Sequence, residues 1–531
     1  MKTLAKRDLA LTIILLCFLL YAGLYIYRTS FVIGGQRYFS LFDDAMVSMR
    51  YARNLAHGQG LVWNPGGERV EGYTNPLWVL YMSLFHLLPV APAKVSLFIQ
   101  VSGALFLLMD LIVVKKIADL LAPKSTFVGL AAVLLTAFYL PLNTWSLQGM
   151  EVGLGALIVT VSLWLAIRTL QAGQFSPWLY LLLGIGTLVR LDLAVPLVAI
   201  GSFLALFDAK NRRRHVLIGA SALVFFVLAQ TAFRLWYYGD VFPNTYYLKM
   251  TGYPLFFRIT RGLYVTLDFA WRLDWLLALL PLTLYLYRRE KGMLLLGWVF
   301  LLQVMYSIYV GGDAWEWWGG ANRYVCIAMP AFMILTARGI SRIATAILHG
   351  LNNRRPWLDR YGRYALVALA LVSLTDFDPL YGRQSLGELL LLQRPLHVTD
   401  NIKRVQAALL VDQITTPQAT VAVAWAGALP YFMNRYAIDL LGKNDRVIAH
   451  EPMRVPSGWM KLVGYYPGHL KWDYAYSIGQ LQPDVVAQLW QSPEEAAPYL
   501  QSYRELTLGG LTFYLRQGSP NILWDKVPSS G

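Results

Sequence analysis

Charged residues are scarce in this chain of 531 residues. They make up only 15% of it, whereas hydrophobic residues make up 56%, and the mean hydropathy is +0.45. Because soluble domains carry about 25% charged residues, the composition excludes an ordinary soluble globular protein. Apolar runs recur at about the 20-residue length that a helix needs to cross the hydrocarbon of a bilayer. The sequence therefore predicts a polytopic membrane protein.

The sequence also lacks the short motifs of several soluble enzyme classes. It contains no zinc-ligand spacing, no P-loop and no glycine-rich dinucleotide fingerprint. Nothing in it therefore supports a soluble nucleotide-sugar or ATP site. The two cysteines, Cys17 and Cys326, both lie inside apolar segments, so we expect no structural disulfide.

The positive charge is concentrated in short links between apolar runs. The formal net charge is +15, and the clusters are Lys2/Lys6/Arg7, Lys115/Lys116/Lys124, residues 210–214, Arg288/Arg289/Lys291 and Arg354/Arg355/Arg360/Arg363. Cytoplasmic loops of membrane proteins have this pattern under the positive-inside rule. We interpret the charge as a topology signal and expect no nucleic-acid partner.

The apolar segments predict the course of the chain through the membrane. No small-residue cleavage site follows Tyr27, so we expect residues 9–27 to be a retained first helix. The later segments are 95–114, 126–142, 151–170, 178–190, 193–207, 215–236, 273–287, 293–310, 325–346 and 364–379. Together they predict an all-α polytopic bundle of about 10–12 transmembrane helices over residues 1–379, with a first outer loop at 28–72.

The sequence leaves two interpretations of how segment 73–90 crosses the membrane. If the lysine cluster 115–124 lies inside, this segment enters and leaves on the same face; if it crosses fully, those lysines lie outside. Pro89 and Pro92 favour the incomplete crossing, because re-entrant backbone is tolerated where it lines a cavity.

The character of the sequence changes beyond about residue 376. Short β-prone runs such as 420–424 and 511–515 alternate with a helical pattern at 400–411, and no further run is long enough to span a bilayer. We predict a small α/β domain at residues 380–531 on the outer face.

The outer loop between the first two apolar segments carries paired carboxylates. Asp43 and Asp44 lie in a helix-compatible stretch with Ser48 and Tyr51 at helical spacing. Such a pair can share a proton, bind a divalent cation or place a base against a sugar hydroxyl, and one Asp can merely cap a helix. Two adjacent acids exceed what a cap needs, which favours a functional role.

The rest of this loop contains a turn and a polar entry to the next apolar run. Asn64 to Arg69 has the composition of a solvent turn. Glu71, Tyr73 and Asn75 then bring a charge, a phenol and an amide to the start of the apolar run, although aromatic residues at this place also serve as interfacial anchors.

Ionisable residues also interrupt two later apolar segments. Glu151 begins one, and Arg190 and Asp192 lie between two others. Charges at such places usually pair with one another or face a polar cavity, and a structural pair and a functional pair both remain open.

Two further outer segments mix cations with aromatic residues. The first, from Arg234 to Lys249, includes Asn244 and Tyr246. It suits a lipid-linked phosphate, or else simple snorkelling of its long side chains to the headgroups.

The second such segment is Gly311 to Tyr324. It holds Asp313, Trp317 and Arg323. Carboxylates and indole faces together are suited to binding sugars, and anchoring at the interface explains the tryptophans but not Asp313 or Arg323.

Several of these motifs resemble those of the GT-C superfamily of glycosyltransferases. The similarity is to the bacterial branch that contains mycobacterial terminal arabinofuranosyltransferases and enzymes of pilin or surface-glycan modification. The motifs are FDDAMVSMRYARNLAHGQGLVWNPGGERVEGYTNPLW, QGMEVGLG, RLWYYGDVFPNTYYLK, GGDAWEWWGGANRYV, AIDLLGKNDRVIAHEP and PGHLKWD.

The resemblance implies a GT-C fold and an integral-membrane transferase. It would move a sugar, D-arabinofuranose, from a polyprenyl-phosphate donor to a periplasmic acceptor, a glycan or a pilin protein. The protein would be a monomer among the lipids of a bacterial inner membrane, with its active site towards the periplasm. A transferase of another lipid-linked sugar (mannose or aminoarabinose), a flippase of such a lipid and a non-catalytic scaffold remain alternatives.

The resemblance also implies roles for residues. Asp43 would be the principal catalytic carboxylate, with Asp44 as its helper or as a ligand of Mg²⁺, Mn²⁺ or Ca²⁺. The pair Asp-Glu is common elsewhere in the superfamily, which leaves open how the two carboxylates divide these roles. Residues expected near the donor phosphate are Lys249, Arg323, Tyr246, Asn244 and Arg190. Residues expected near the sugar or the acceptor are Glu71, Tyr73, Asn75, Glu151, Asp313, Trp317 and His469.

Overall fold

A computed structural model describes residues 2–272, 275–287, 290–316, 322–350, 356–375 and 382–528. Helices dominate the part before residue 376. They are α1 (Lys2–Thr29), α2 (Asp43–Ala56), α3 (Pro76–His86), α4 (Pro92–Leu121), α5 (Thr126–Ala137), α6 (Leu140–Leu147), α7 (Val152–Ala172), α8 (Trp178–Val189), α9 (Ala194–Phe207), α10 (Arg212–Tyr238), α11 (Asn244–Met250), α12 (Leu255–Arg272), α13 (Leu276–Tyr287), α14 (Lys291–Val310), α15 (Arg323–Cys326), α16 (Met329–Gly350) and α17 (Pro356–Ser373). A small hairpin of β1 (Phe31–Ile33) and β2 (Gln36–Tyr38) follows α1.

Long apolar helices confirm the prediction of a helical membrane protein. Within the described residues, five are long and apolar enough to span a bilayer: α1, α4, α7, α10 with the short turn before it, and α14. The pair α5 and α6 makes a sixth if it is counted as one span bent by 53°. The sequence analysis predicted about 10–12 spans from the apolar runs. Some of these runs, such as those of α8 and α9, form helices of only 12 and 14 residues and are therefore shorter than a span.

The length of α3 bears on the open question about segment 73–90. This helix has 11 residues, which corresponds to about 17 Å at 1.5 Å per residue. Since the hydrocarbon core is about 30 Å thick, the helix is too short to cross it alone, and this favours the incomplete crossing.

The C-terminal part combines short helices with one mixed sheet, as the sequence predicted. Its helices are α18 (Gly382–Leu389), α19 (Val398–Ile414), α20 (Ala428–Phe432), α21 (Arg446–His450), α22 (Met460–Val463) and α23 (Pro493–Ala496). Its strands are β3 (Thr420–Val423), β4 (Tyr436–Asp439), β5 (Val485–Val486), β6 (Tyr503–Leu508) and β7 (Leu511–Arg516). The strand order is β4-β3-β5-β7-β6, with β3 parallel to β4 and β5, and β7 antiparallel to β5 and β6.

The outer loop and the C-terminal part are joined by buried hydrogen bonds. Asn64 accepts from Ala437 N at 3.1 Å and donates to Ala437 O at 2.8 Å, so its amide pairs with edge strand β4 as a neighbouring strand would. The fully buried Arg50 donates to the carbonyl oxygens of Pro430 and Arg435. The interpretation of residues 64–69 as a solvent turn is therefore wrong for Asn64, whose exposure is 8%.

Candidate active site

A polar cleft of about 620 Å³ lies where the bundle meets the C-terminal sheet. Its walls come from α2, from α11, from the 313–323 segment and from the residues that follow strands β3 and β4. Ligands of α/β sheets commonly bind beyond the carboxyl ends of parallel strands, and here those ends face the membrane-embedded bundle. The lining residues are Phe42, Asp43, Asp44, Val47, Leu248, Lys249, Asp313, Ala314, Trp315, Arg323, Ala424, Trp425, Ala426, Asp439, Leu441, Lys443, Pro467, Gly468 and His469.

Asp44 lies in the first turn of α2 and is held by cations from two parts of the chain. One carboxylate oxygen accepts from Lys443 Nζ at 2.7 Å, and the other accepts from Arg323 Nη1 at 2.7 Å. Burial alone would raise the pKa of Asp44, but Lys443, Arg323 and the nearby Lys249 outweigh it and hold that pKa well below its usual range. The carboxylate is therefore ionised at neutral pH.

Lys249, at the end of α11, is the third cation of the group. Its ammonium has no hydrogen-bond or ion-pair partner among the residues that the structure describes, and it lines three adjoining cavities. Burial lowers the pKa of Lys249 to about 8, although Asp44 opposes the shift. We call Lys249, Arg323 and Lys443 the cation cluster.

Arg323 is fixed by a fork of hydrogen bonds to Asp313. Its Nε and Nη2 atoms each lie 2.7 Å from one Asp313 oxygen, and its guanidinium lies 5.3 Å from the centre of the Trp145 ring. Burial alone would raise the pKa of Asp313, but Arg323 outweighs it and lowers that pKa. Such bidentate pairs are rigid, so the third guanidinium nitrogen is aimed at Asp44.

Asp43 also lines the cleft, but its neighbours differ from those of Asp44. Its oxygens accept from the backbone N–H groups of Gly427 and Ala428 at 3.2 and 3.0 Å, and Arg404 Nη1 lies 3.6 Å away. A side chain at Gly427 would collide with Asp43, so glycine permits this approach. Asp43 thus joins α2 to the start of α20.

A second polar cavity of about 440 Å³ adjoins the cation cluster and is lined by residues at the starts of α3 and α7 and at the end of α8. Asn75 Nδ2 donates to Glu151 at 2.8 Å, and Arg190 pairs with Glu151 at 3.4 Å and with Asp192 at 2.5 Å. The intramembrane charges therefore pair with one another at the wall of a cavity. This cavity also includes Tyr73, whose hydroxyl lies 2.9 Å from that of Tyr238.

A third cavity of about 1010 Å³ reaches the C-terminal ends of α10 and α14. It shares Lys249 and Arg190 with the second cavity. Tyr246 lines it and stacks on Phe242, with ring centres 4.5 Å apart. The three cavities thus form a series from the bundle to the C-terminal sheet, and Lys249 belongs to each.

Two of the predicted site residues that the structure describes, Asn244 and Glu71, do not line these cavities. Asn244 is buried, and its amide donates to the carbonyl oxygens of residues 442, 443 and 445, so it supports the loop that carries Lys443. Glu71 is buried against Arg234, with 2.5 Å between Oε2 and Nε. Trp317 lies outside the described residues.

Aromatic rings also line the cleft. Trp315, Trp425 and His469 all line it, and the His469 ring centre lies 6.4 Å from that of Trp315 and 5.9 Å from that of Trp425. His469 also stacks on Tyr466 with ring centres 4.1 Å apart. The Arg404 guanidinium lies 4.6 Å from the centre of the Trp425 ring, so charged and aromatic groups adjoin one another in the cleft.

Sequence reasoning missed several residues that the fold brings into the cleft. Lys443 is the most important, since it contacts Asp44 from 399 positions away in the chain. It lies just after strand β4, in the motif AIDLLGKNDRVIAHEP. A lysine in the loop that follows a predicted strand was the one sequence feature that could have indicated a site residue here. Asp439 holds this loop by accepting from the backbone N–H groups of Leu441 and Asn444.

Asp43 and Asp44, the predicted possible ligands of a divalent metal ion, have cations and backbone N–H groups as their neighbours in the structure. Among the described residues, no group of three His, Cys, Asp or Glu side chains is arranged to hold one. Both oxygens of Asp44 are engaged by cations at 2.7 Å. The cations around Asp44 make the cleft suited to an anionic ligand that shares them.

Parts of this chain are similar in sequence to known proteins. Residues 397–515 match a family model described as a domain of unknown function (DUF8728). The terminal β-(1→2)-arabinofuranosyltransferase of Mycobacterium tuberculosis (strain ATCC 25618 / H37Rv) is 29% identical over 218 residues, which cover 38% of this chain and 34% of that protein. The matched part thus spans about a third of the relative's length.

Solved structures match over nearly the whole chain. The apo oligosaccharyltransferase of Archaeoglobus fulgidus has a TM-score of 0.52 at 11% identity, covering 97% of this chain and 75% of that one. The oligosaccharyltransferase AglB of the same organism, in complex with an inhibitory peptide and a dolichol-phosphate, has a TM-score of 0.53 at 11% identity, covering 98% and 75%. The chain has a GT-C-like fold and is distantly related to the arabinofuranosyltransferase.

Proposed function

We propose that this chain is an integral-membrane glycosyltransferase of the GT-C type. It transfers a glycosyl group, D-arabinofuranosyl, from a polyprenyl-phosphate donor to an acceptor hydroxyl. The reaction takes place at the outer face of a bacterial inner membrane. The relationship to the arabinofuranosyltransferase supports the choice of sugar.

The observation that carries the proposal is the cation cluster around Asp44. Lys443 and Arg323 each lie 2.7 Å from Asp44, while Lys249 has no partner of its own within the described ranges. Three cations beside two carboxylates, Asp44 and Asp313, leave a local excess of positive charge, which suits a phosphate group. A phosphate that leaves with the electrons of the broken bond needs such stabilisation.

The order of the cavities supports an assignment of the two substrates. The cavity of about 1010 Å³ opens between the outer ends of spanning helices and has aromatic and apolar residues in its lining, such as Tyr309 and Val310. We assign it to the first part of the lipid and place the donor phosphate at Lys249. The cleft of about 620 Å³ lies beyond that point, against the C-terminal sheet, and we assign it to the acceptor.

The reaction can be written with these residues. The acceptor oxygen forms a bond to the anomeric carbon, and the bond from that carbon to the phosphate oxygen breaks, with its electron pair going to the phosphate. The hydroxyl proton passes to a carboxylate, for which we propose Asp43. Asp44 holds two of the cations in place until the donor phosphate shares them.

Transfer by the purified protein in nanodiscs tests the proposal. Decaprenyl-phosphate esters of arabinofuranose, mannose and aminoarabinose are supplied with an oligosaccharide acceptor, and products are identified by mass spectrometry. We expect turnover of the arabinofuranose donor, and at least a tenfold loss of kcat/KM in Lys443→Met, because one charged contact to phosphate is removed. Lys403→Met, at an exposed lysine on α19, should match the wild type.

Asp43→Asn tests the catalytic carboxylate. It should abolish transfer and leave donor binding nearly intact, because the amide keeps the size of the side chain but cannot take a proton at neutral pH. A fully active Asp43→Asn protein would remove Asp43 from this role. Movement of the donor lipid across the membrane without any product would instead favour the flippase alternative.

A further inference from the structure

Helix α12 has charged side chains on its buried face and apolar ones on its exposed face. Arg258 and Arg261 are buried, and such charges need partners inside the protein. Arg258 donates to backbone carbonyl oxygens, whereas Arg261 pairs with a carboxylate. The opposite face is typical of a helix in contact with lipid. Its exposed residues are Leu255, Phe256, Leu263, Tyr264, Leu267 and Trp271.

Arg261 reaches from α12 to the segment that follows α14. Its Nη1 atom donates to the carbonyl oxygen of Gly311 at 2.6 Å, and its Nη2 atom donates to Glu316 Oε2 at 3.0 Å. A side chain on Gly312 would collide with both Arg261 and Glu316, so glycine permits this close approach. Both charged side chains are buried, and the pair therefore joins α12 firmly to this segment.

Glu316 also contacts two residues that determine where Arg323 lies. Its Oε1 atom accepts from the backbone N–H of Asp313 and from Asn322 Nδ2, the latter at 3.2 Å. Asp313 is the carboxylate that binds the Arg323 guanidinium through two hydrogen bonds. Asn322 is the N-cap of α15, the helix that begins at Arg323. Glu316 therefore supports both the side-chain partner of Arg323 and the backbone from which Arg323 projects.

We infer that Glu316 is a positioning residue for the donor phosphate: it holds Arg323 in place by tying Asp313 to helix α12. This inference rests on the proposed function, since it uses the assignment of Arg323 to that phosphate. Glu316 lines neither the cleft nor the two adjoining cavities, so it acts through Arg323 and not by contact with the donor. A guanidinium binds phosphate through a planar fork of N–H groups, which makes its orientation important.

Glu316→Gln tests the link in the full-length protein in nanodiscs. The amide keeps the size of the side chain but loses the charge, and its NH₂ group faces the N–H donors of Arg261. We expect the Kd for decaprenyl phosphate, measured by isothermal titration calorimetry, to rise about tenfold. Asp268→Asn is the matched control, since it breaks an ion pair with Arg272 that lies within α12 itself. This control should change the Kd less than about twofold.

A double-mutant cycle with Arg323→Met separates positioning from a general loosening of the fold. If Glu316 acts through Arg323, then Glu316→Gln should change the Kd less than about twofold once Arg323 has been replaced. A merely structural role would weaken phosphate binding to the same extent in both backgrounds. An equal loss in both backgrounds, or no loss in Glu316→Gln alone, would overturn the inference.

Arg261→Met breaks the same link from the side of α12 and serves as the test if Glu316→Gln does not fold. In this variant Glu316 keeps its contacts with Asp313 and Asn322. We therefore expect a smaller rise in the Kd for decaprenyl phosphate, about fivefold, which again disappears when Arg323 is replaced. A Kd equal to that of the wild type would show that α12 does not support the site and would overturn the inference.

Chemical modification of arginine tests the positioning of Arg323 without any donor lipid. Phenylglyoxal reacts with guanidinium groups, and mass spectrometry measures the modified fraction of the peptide that contains Arg323. Because the hydrogen bonds to Asp313 hold this side chain at the wall of the cleft, Arg323 should react about threefold faster or more in Glu316→Gln than in the wild type or Asp268→Asn. Equal rates in all three proteins would overturn the inference, whereas absence of phosphate binding by the wild type overturns only the proposed function.

Discussion

Replacement of Asp44 by asparagine should strengthen the binding of polyprenyl phosphate. In the structure, the two Asp44 oxygens accept hydrogen bonds from Lys443 and Arg323, the cations that we assign to the donor phosphate. The ionised carboxylate therefore competes with the phosphate for the same donors. An asparagine keeps the shape and one oxygen acceptor but carries no charge.

The size of the effect follows from electrostatics. A phosphate shared by the cation cluster would lie about 6 Å from Asp44, where two negative charges repel by about 3 kcal/mol at an effective dielectric of 20. The Asp44 side chain is 29% exposed, so solvent screens part of this, and the freed cations also repel one another. We therefore expect about half of this repulsion, or about 1.5 kcal/mol, to be relieved in Asp44→Asn. This lowers the Kd for the phosphate about tenfold.

The assay is the Kd of decaprenyl phosphate for the protein in nanodiscs, measured by isothermal titration calorimetry at 0.15 M and at 0.5 M salt. The gain should shrink at the higher ionic strength. Transfer should not accelerate, because the product lipid then leaves more slowly. Asp119→Asn is the control, since Asp119 is half exposed and pairs with Lys115 one turn away.

A weaker or unchanged affinity in Asp44→Asn would refute this reasoning. The contrast with a metal site makes the result decisive. If Asp44 held a divalent cation that in turn held the phosphate, its loss would weaken phosphate binding. The two interpretations therefore differ in the sign of the change.

Three further outcomes are expected. Chelation by EDTA should leave the rate of transfer unchanged, because the cation cluster supplies the positive charge. The measurement is product formation with and without added Mg²⁺, and a loss of transfer that Mg²⁺ restores would contradict this prediction. The affinity for decaprenyl phosphate should fall as pH rises from 7 to 9, because the Lys249 pKa of about 8 means that its charge is lost in this window, and Lys249→Arg should abolish that dependence. Asn64→Ala should lower the free energy of unfolding by about 2–3 kcal/mol in chemical denaturation, because the backbone groups of Ala437 lose their partners. The control is Glu68→Ala in the same turn, where the side chain is 58% exposed. This control should change the free energy of unfolding by about 0.5 kcal/mol or less.

Local patterns were sufficient for many elements and insufficient for the assembled cleft. The run from Asp43 to Ala56 has helical spacing, and the structure contains α2 there; the β-prone runs near 420 and 511 are β3 and β7. Within the described residues, five or six helices are long and apolar enough to span a bilayer, whereas about 10–12 spans were predicted, since an apolar run indicates burial without indicating its length as a helix. The loop after α10 also contains two helices, α11 and α12, which the sequence analysis did not predict.

The site shows the same limit more sharply. Asp44, Lys249 and Arg323 were selected by charge and motif, and the fold brings them together in one cleft. Lys443 and Trp425 were not selected, because their contribution depends on where the sheet docks, and docking is specified by contacts such as those of Arg50 and Asn64 over more than 370 positions. Asn244 looked like a phosphate ligand in a polar motif, yet its amide supports the Lys443 loop.

The pairing of Asn64 with strand β4 has a consequence for any attempt to study the C-terminal part alone. Strand β4 is an edge of the sheet, and in the whole chain Asn64 satisfies both backbone groups of Ala437. Residues 382–528 produced without the bundle would present this edge and the buried rings beside it to other molecules, which is a common start of aggregation. The outer loop therefore acts as a protective cover, and the sheet should stay soluble only when that loop is supplied with it.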